Sequence, residues 1–149
     1  MENIICVKEH NKNFHCFVSH RGVDKPDFVI PLVDRLEKLG FAVWCDSNNI
    51  DLGDHIDEAI DNGLMHSRYI IIIVSPSYIE GYWTKMEYRT ALQVESCAGH
   101  EVLIPVWHNV SYQDVMQFSP ILASRLAIKA DDLSIGDVAI ELAARMNAT

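Results

Sequence analysis

The sequence predicts an α/β fold: one parallel sheet with helices packed on both of its faces. Short runs rich in Val, Ile and aromatics alternate with segments whose apolar residues recur every three or four positions. The run 41–45 is apolar throughout rather than alternating, as a strand covered on both faces requires. Glycines and other turn formers punctuate the boundaries, Gly22, Gly40, Gly53 and Gly63 among them.

The elements follow in chain order. Residues 1–13 read as an N-terminal leader, with a short apolar run at Ile4 to Val7, and the domain proper is expected over 14–149. The first core strand is 14–19. The loop Ser19-His20-Arg21-Gly22-Val23-Asp24 follows, with Asp24 a candidate helix cap. A helix then starts at Lys25-Pro26 and turns Phe28, Val29, Leu32, Val33, Leu36 and Leu39 to one face. Gly40 ends it. The second strand is 41–45. The loop from Asp46 to Gly53 is made of turn formers yet carries two apolar residues, Ile50 and Leu52. Asp54 caps the next helix, which contains Ile56, Ala59 and Ile60.

The third strand, 69–74, is the most apolar run of the chain. Ser75-Pro76-Ser77-Tyr78 breaks it, and a helix from about Gly81 to Cys97 follows. Residues 102–107 form a fourth strand, in which Pro105 points to an edge or an end. Residues 108–124 are the least regular, with a short helix at Tyr112 to Met116. A fifth strand at 126–128 and a closing helix at 134–146 complete the chain. In the flavodoxin-like strand order 2-1-3-4-5 the topological switch point lies between strands one and three. The loops at Ser19 to Asp24 and Ser75 to Trp83 then meet there, flanked by the loop at Asp46 to Gly53.

Trp83 and Glu87 are four apart, so on a helix they share a face just beyond the third strand. A carboxylate beside an aromatic plane at a switch point makes Glu87 the candidate catalytic carboxylate and Trp83 a wall of its pocket. The blander alternative is a packing Trp and a Glu that complements the helix dipole.

At 149 residues the chain is expected to be a single domain. A net charge of −9 gives no support for nucleic-acid binding. Asp46, Asp51, Asp54, Asp57, Glu58 and Asp61 follow one another with no Lys or Arg between them, which disfavours anionic membranes. The four cysteines, Cys6, Cys16, Cys45 and Cys97, have no CxxC spacing, so neither a metal site nor a redox motif is expected and a reducing cytoplasm fits best. No signal peptide is apparent.

Taken together, these residues resemble a TIR (Toll/interleukin-1 receptor) domain. Phe17-Val18-Ser19-His20 resembles the family's first box. Gly40-Phe41-Ala42-Val43-Trp44-Cys45-Asp46, with Ile50 and Gly53, resembles its second box and BB loop. Ser67-Arg68, the isoleucine-rich strand and Ser75-Pro76-Ser77-Tyr78 continue the pattern. Trp83-x-x-x-Glu87 resembles the Trp-Cys-x-x-Glu stretch, with Thr84 where Cys is common. The match runs from about Phe14 to Glu87, and the family's third box is not evident.

The resemblance implies one of two functions. Catalytic members cleave NAD+ at the nicotinamide–ribose bond with a Glu at the position of Glu87, as assemblies in which a neighbour's BB loop contributes to the site. Bacterial ones act in antiphage defence, making linear or cyclic ADP-ribose. Silent members are adaptors that join other TIR-bearing or effector proteins, and here Asp46, Ile50, Leu52 and Gly53 would form the docking loop. A phosphoacceptor receiver of the same topology would need an Asp ending strand three, where this chain has Val74-Ser75. For NAD+ cleavage the candidate substrate-binding residues are Trp83, Ser19, His20, Arg21, Trp44 and Ser77. Arg21 would face the pyrophosphate, and Trp83 and Trp44 would stack on flat rings, although both also suit core packing. A loop histidine such as His20 is more often simply exposed. With no GxGxxG or P-loop, NAD+ is expected as a substrate rather than a held cofactor, and no metal site is expected.

Overall fold

The computed structural model describes residues 14–20, 24–44, 67–80, 95 and 101–147. Among them a five-stranded sheet has the order β2-β1-β3-β4-β5, parallel at every pairing. The strands are β1 (Phe14–Ser19), β2 (Val43–Trp44), β3 (Ser67–Val74), β4 (Leu103–Trp107) and β5 (Ile128–Lys129). The helices are α1 (Ile30–Lys38), α2 (Pro76–Glu80), α3 (Tyr112–Phe118), α4 (Pro120–Ser124) and α5 (Ile135–Asn147). This is the expected flavodoxin-like three-layer sandwich. No helix among the described residues is long and apolar enough to cross a membrane.

Strand β3 sits at the centre because it is apolar on both faces. Ile70, Ile72 and Val74 pack with Phe17, Tyr78, Leu103, Val115 and Leu122 on one side. Ile71 and Ile73 pack with Val18, Leu32, Leu36, Val138 and Leu142 on the other. All five β3 side chains from Ile70 to Val74 are fully buried, and each contributes about 2 kcal/mol relative to exposure. The α1 and α5 layer thus covers one face, and α2, α3 and α4 cover the other.

Several elements differ from expectation. The helix expected from Lys25 begins as a π-helical turn, Lys25–Val29, and becomes α-helical only at Ile30. Pro31 accounts for the change of pitch: it has no N–H to offer the Asp27 carbonyl, and its ring crowds that carbonyl. Leu39, expected on the buried face, is 48% exposed because the helix has already turned off. Gly40 ends it as expected, at φ +98, with its N–H on Glu37 C=O and the Phe41 N–H on Leu36 C=O.

β3 starts two residues earlier than expected, at Ser67. β5 is shifted to Ile128–Lys129, and Leu126, expected in it, is 77% exposed. β4 lies inside the sheet, yet its pairing with β5 begins only at Val106. Pro105 therefore stands at a locally open edge, which reconciles a proline with an interior strand. The segment read as least regular holds α3 and, unforeseen, α4. Ser119 accepts the Leu122 N–H and Pro120 opens that helix.

The start of β4 is fixed by ions. The Glu95 carboxylate accepts the Val102 and Leu103 N–H groups, each at 2.8 Å, and a two-pronged Arg125 guanidinium. Arg125 also donates to Leu103 C=O at 3.0 Å, while Glu101 pairs with Arg145 of α5.

Candidate functional site

The parallel register Ser19↔Ile72 ends β1 and β3 side by side, so the chain leaves both strands at the same sheet edge. Their outer neighbours lie on opposite sides, β2 beyond β1 and β4 beyond β3. This is the expected switch point, and of the described candidates Ser19, His20 and Ser77 lie at it.

Ser19 and His20 are both buried, and His20 is fully so. The burial corrects the expectation of an exposed loop histidine. Its Nδ1 lies 3.1 Å from Val18 C=O, and since a carbonyl only accepts, Nδ1 carries the proton. Ser19 Oγ hydrogen-bonds Tyr78 Oη at 2.9 Å. Ser19 and His20 are not bonded to one another, so this pair offers no base-activated hydroxyl nucleophile.

The segment after β3 is bonded to the same loop a second time. Ser75 Oγ donates to Asp24 Oδ2 at 2.5 Å, and Ser77 Oγ donates to the same oxygen at 3.3 Å. Ser75 Oγ also accepts the Tyr78 N–H at 3.1 Å, capping α2. Asp24, read from sequence as the cap of its own helix, spends its carboxylate on the neighbouring loop instead. The missed residue is Ser75. Its signal was the Ser-Pro pair at a helix start, but no spacing announces a partner 51 residues away.

Trp44 is half-buried at the end of β2, with its ring 6.0 Å from Phe14 and 5.6 Å from Phe17. These contacts match the packing alternative for Trp44. Ser77 is half-buried and turned to Asp24. Arg21, Asp46, Ile50, Leu52, Gly53, Trp83 and Glu87 lie outside the described residues. An open cleft of about 320 Å³ runs between α2 and α3, lined by Pro76, Ile79, Glu80, Val110, Asp114 and Phe118 among others.

Comparison with known proteins adds a family to this geometry. The model of the TIR domain matches residues 16–137. A 2′ cyclic ADP-D-ribose synthase of Bacteroides thetaiotaomicron is 36% identical over 132 residues, covering 89% of this chain and 46% of its own length. A 2′ cyclic ADP-D-ribose synthase of Acinetobacter baumannii is 35% identical, covering 92% of this chain and 51% of its own. An NAD(+) hydrolase of Escherichia coli is 32% identical over 143 residues, 96% of this chain and 47% of its own. The chain therefore spans about half the length of these curated relatives. Among solved structures, a metazoan TIR-STING receptor from C. gigas superposes with a TM-score of 0.60 at 23% identity, over 89% of this chain and 40% of that one. The TIR domains of the activated Roq1 resistosome superpose with a TM-score of 0.54 at 19% identity, over 90% and 81%. Both structures support the fold alone. With the family model matching residues 16–137 and relatives at 32–36% identity covering nearly all of this sequence, the chain belongs to the TIR domain family.

Proposed function

We propose that this chain is an NAD+ nucleosidase, cleaving the nicotinamide–ribose bond to give nicotinamide and either ADP-ribose or a cyclic isomer of it. The observation that carries the reading is the set of relatives that cover nearly all of the chain at 32–36% identity and are named for NAD+ hydrolysis or cyclic ADP-ribose synthesis. Its setting is the cytoplasm, its active form an assembly of TIR domains, and its products serve antiphage defence signalling.

The chemistry needs little machinery. The bond from ribose C1′ to the pyridinium nitrogen breaks with its electron pair leaving on nicotinamide, which departs neutral, so no strong general acid is required. Positive charge gathers on the ribose as in glycoside cleavage. Glu87 supplies the carboxylate that stabilises it and holds the ribose hydroxyls. Water attacking C1′ and losing a proton yields ADP-ribose, whereas a hydroxyl of the same molecule yields the cyclic product. Trp83 offers a ring face, Arg21 offers charge for the pyrophosphate, and Ser19, His20 and Ser77 line the loops between, while Trp44 packs on Phe14 and Phe17. Asp46, Ile50, Leu52 and Gly53 form the contact to a neighbouring copy. Support for the described part of this set is the position of Ser19, His20 and Ser77 at one sheet edge.

The test is incubation of concentrated protein with NAD+, wild type beside Glu87→Ala and Glu87→Gln, with products resolved by chromatography and mass. Wild type is expected to release nicotinamide, and either variant to be slower by about a hundredfold or more. A second product one water lighter than ADP-ribose identifies cyclisation. No release by wild type at any protein concentration, or equal release by Glu87→Ala, overturns the reading.

A further inference from the structure

On the reading proposed above, substrate lies between the loop after β1 and the segment after β3. The sheet ladder holds these two only as far as Ser19↔Ile72. Beyond that edge, among the described residues, two side-chain ties join them: Ser19 Oγ to Tyr78 Oη at 2.9 Å, and the Asp24 carboxylate, which takes the Ser75 hydroxyl at 2.5 Å and the Ser77 hydroxyl at 3.3 Å.

Three features set the Asp24 tie apart from an ordinary loop contact. Ser75 is fully buried, so its hydroxyl has no water to turn to. Its oxygen caps α2 while its proton goes to Asp24, so the carboxylate grips the first turn of that helix through the cap. Asp24 also stands at the mouth of the Lys25–Val29 turn, where a carboxylate ordinarily bonds its own helix N–H groups, and both of its hydrogen bonds run to the other loop instead. Five residues after Ser75, α2 ends at Glu80 and the chain enters Gly81 and the Trp83-x-x-x-Glu87 stretch.

We propose that Asp24 is a positioning residue of the NAD+-cleaving site: through Ser75 and Ser77 it sets where the chain departs toward Trp83 and Glu87, relative to the loop that carries His20 and Arg21. It touches no substrate. Its effect is on the separation of the two walls, to which a reaction that depends on one placed carboxylate is sensitive. The inference rests on the NAD+-cleaving reading and adds what holds that site in register.

The experiment measures nicotinamide release against NAD+ concentration, with a thermal unfolding curve for each protein. The proteins are wild type, Asp24→Ala, Asp24→Asn, Ser75→Ala and the Asp24→Ala/Ser75→Ala double variant. Asp24→Ala is expected to lower kcat by about ten- to a hundredfold while KM stays within about threefold. Asp24→Asn keeps an acceptor oxygen in the same place and is expected to regain part of the loss. The double variant is expected to lose less than the two single losses combined, since the changes share the Asp24–Ser75 link. An active wild type beside an Asp24→Ala of unchanged kcat sinks this inference alone, whereas a wild type that releases no nicotinamide sinks the NAD+ reading and this with it. Should Asp24→Ala not fold, Asp24→Asn and Ser75→Ala decide. A fall in kcat with the unfolding temperature preserved supports positioning. A fall that only tracks the unfolded fraction assigns Asp24 to stability and overturns it.

Discussion

Glu95 shows what a single carboxylate does when four donors converge on it. Burial works against its ionisation more than any other single influence. The Arg125 guanidinium and the Leu103 and Val102 N–H groups together outweigh that, so its pKa lies below the ordinary glutamate range. A carboxyl that is more acidic folded than unfolded stabilises the fold above its unfolded pKa, and that contribution is lost as pH falls through the folded value. Glu95→Gln should therefore cost about 2–3 kcal/mol at neutral pH, measured by urea unfolding. The gap to wild type should narrow below roughly pH 4.3, where the unfolded chain's glutamate takes up its proton. A gap that stays constant from neutral to acid pH would mean that the ionic character of Glu95 contributes nothing. None of this was legible in the sequence, because Glu95 and Arg125 are 30 residues apart and no periodicity links them. The burial of His20 was hidden for a related reason: residue type predicts exposure only on average.

At the scale of elements, boundaries were legible where a residue has one physical use and illegible where neighbours decide. Gly40 ends α1 at φ +98, a conformation that costs an L side chain strain whatever room surrounds it, and nothing lies within 4 Å of where a Cβ would be. Gly40→Ala should thus lose about 1–2 kcal/mol from backbone strain alone. Gly136, in the first turn of α5, presents the opposite case. An added Cβ would meet Arg35 Nη1 at 2.6 Å, but that atom is the tip of an exposed, flexible side chain. Helix propensity favours Ala there, so Gly136→Ala should stay within about 0.5 kcal/mol of wild type. Denaturant unfolding of the two variants side by side checks the contrast, and equal losses would show that crowding rather than backbone angle governs both positions. The β5 error has the same root as the illegible contacts. Leu126, Ala127 and Ile128 all read as strand, and only the partner register on β4, Val106↔Ile128, says which of them pairs.

For the whole molecule, the layer order followed from connectivity: right-handed crossovers between parallel strands leave few arrangements, and the switch point marks the crevice in any of them. The gathering of Ser19, His20 and Ser77 at one edge was legible given the flavodoxin-like strand order, which connectivity alone does not fix, whereas the Asp24 tie that joins the two loops was not. The chain has a net charge of −9, so copies that assemble must first overcome mutual repulsion. Salt shortens the range of that repulsion, from about 30 Å at 0.01 M to about 8 Å at 0.15 M, without weakening apolar contacts such as those expected of Ile50 and Leu52. Assembly should therefore strengthen as salt rises through that interval, and nicotinamide released per chain should rise with it. Sedimentation without NAD+ separates this from any effect of salt on an anionic substrate. Mass and turnover climbing together, and climbing again with protein concentration, fit a site completed between copies through apolar contacts. Assembly that dissolves as salt is added would instead place complementary charged patches at the interface, and turnover indifferent to both salt and concentration would mean that one copy holds a complete site.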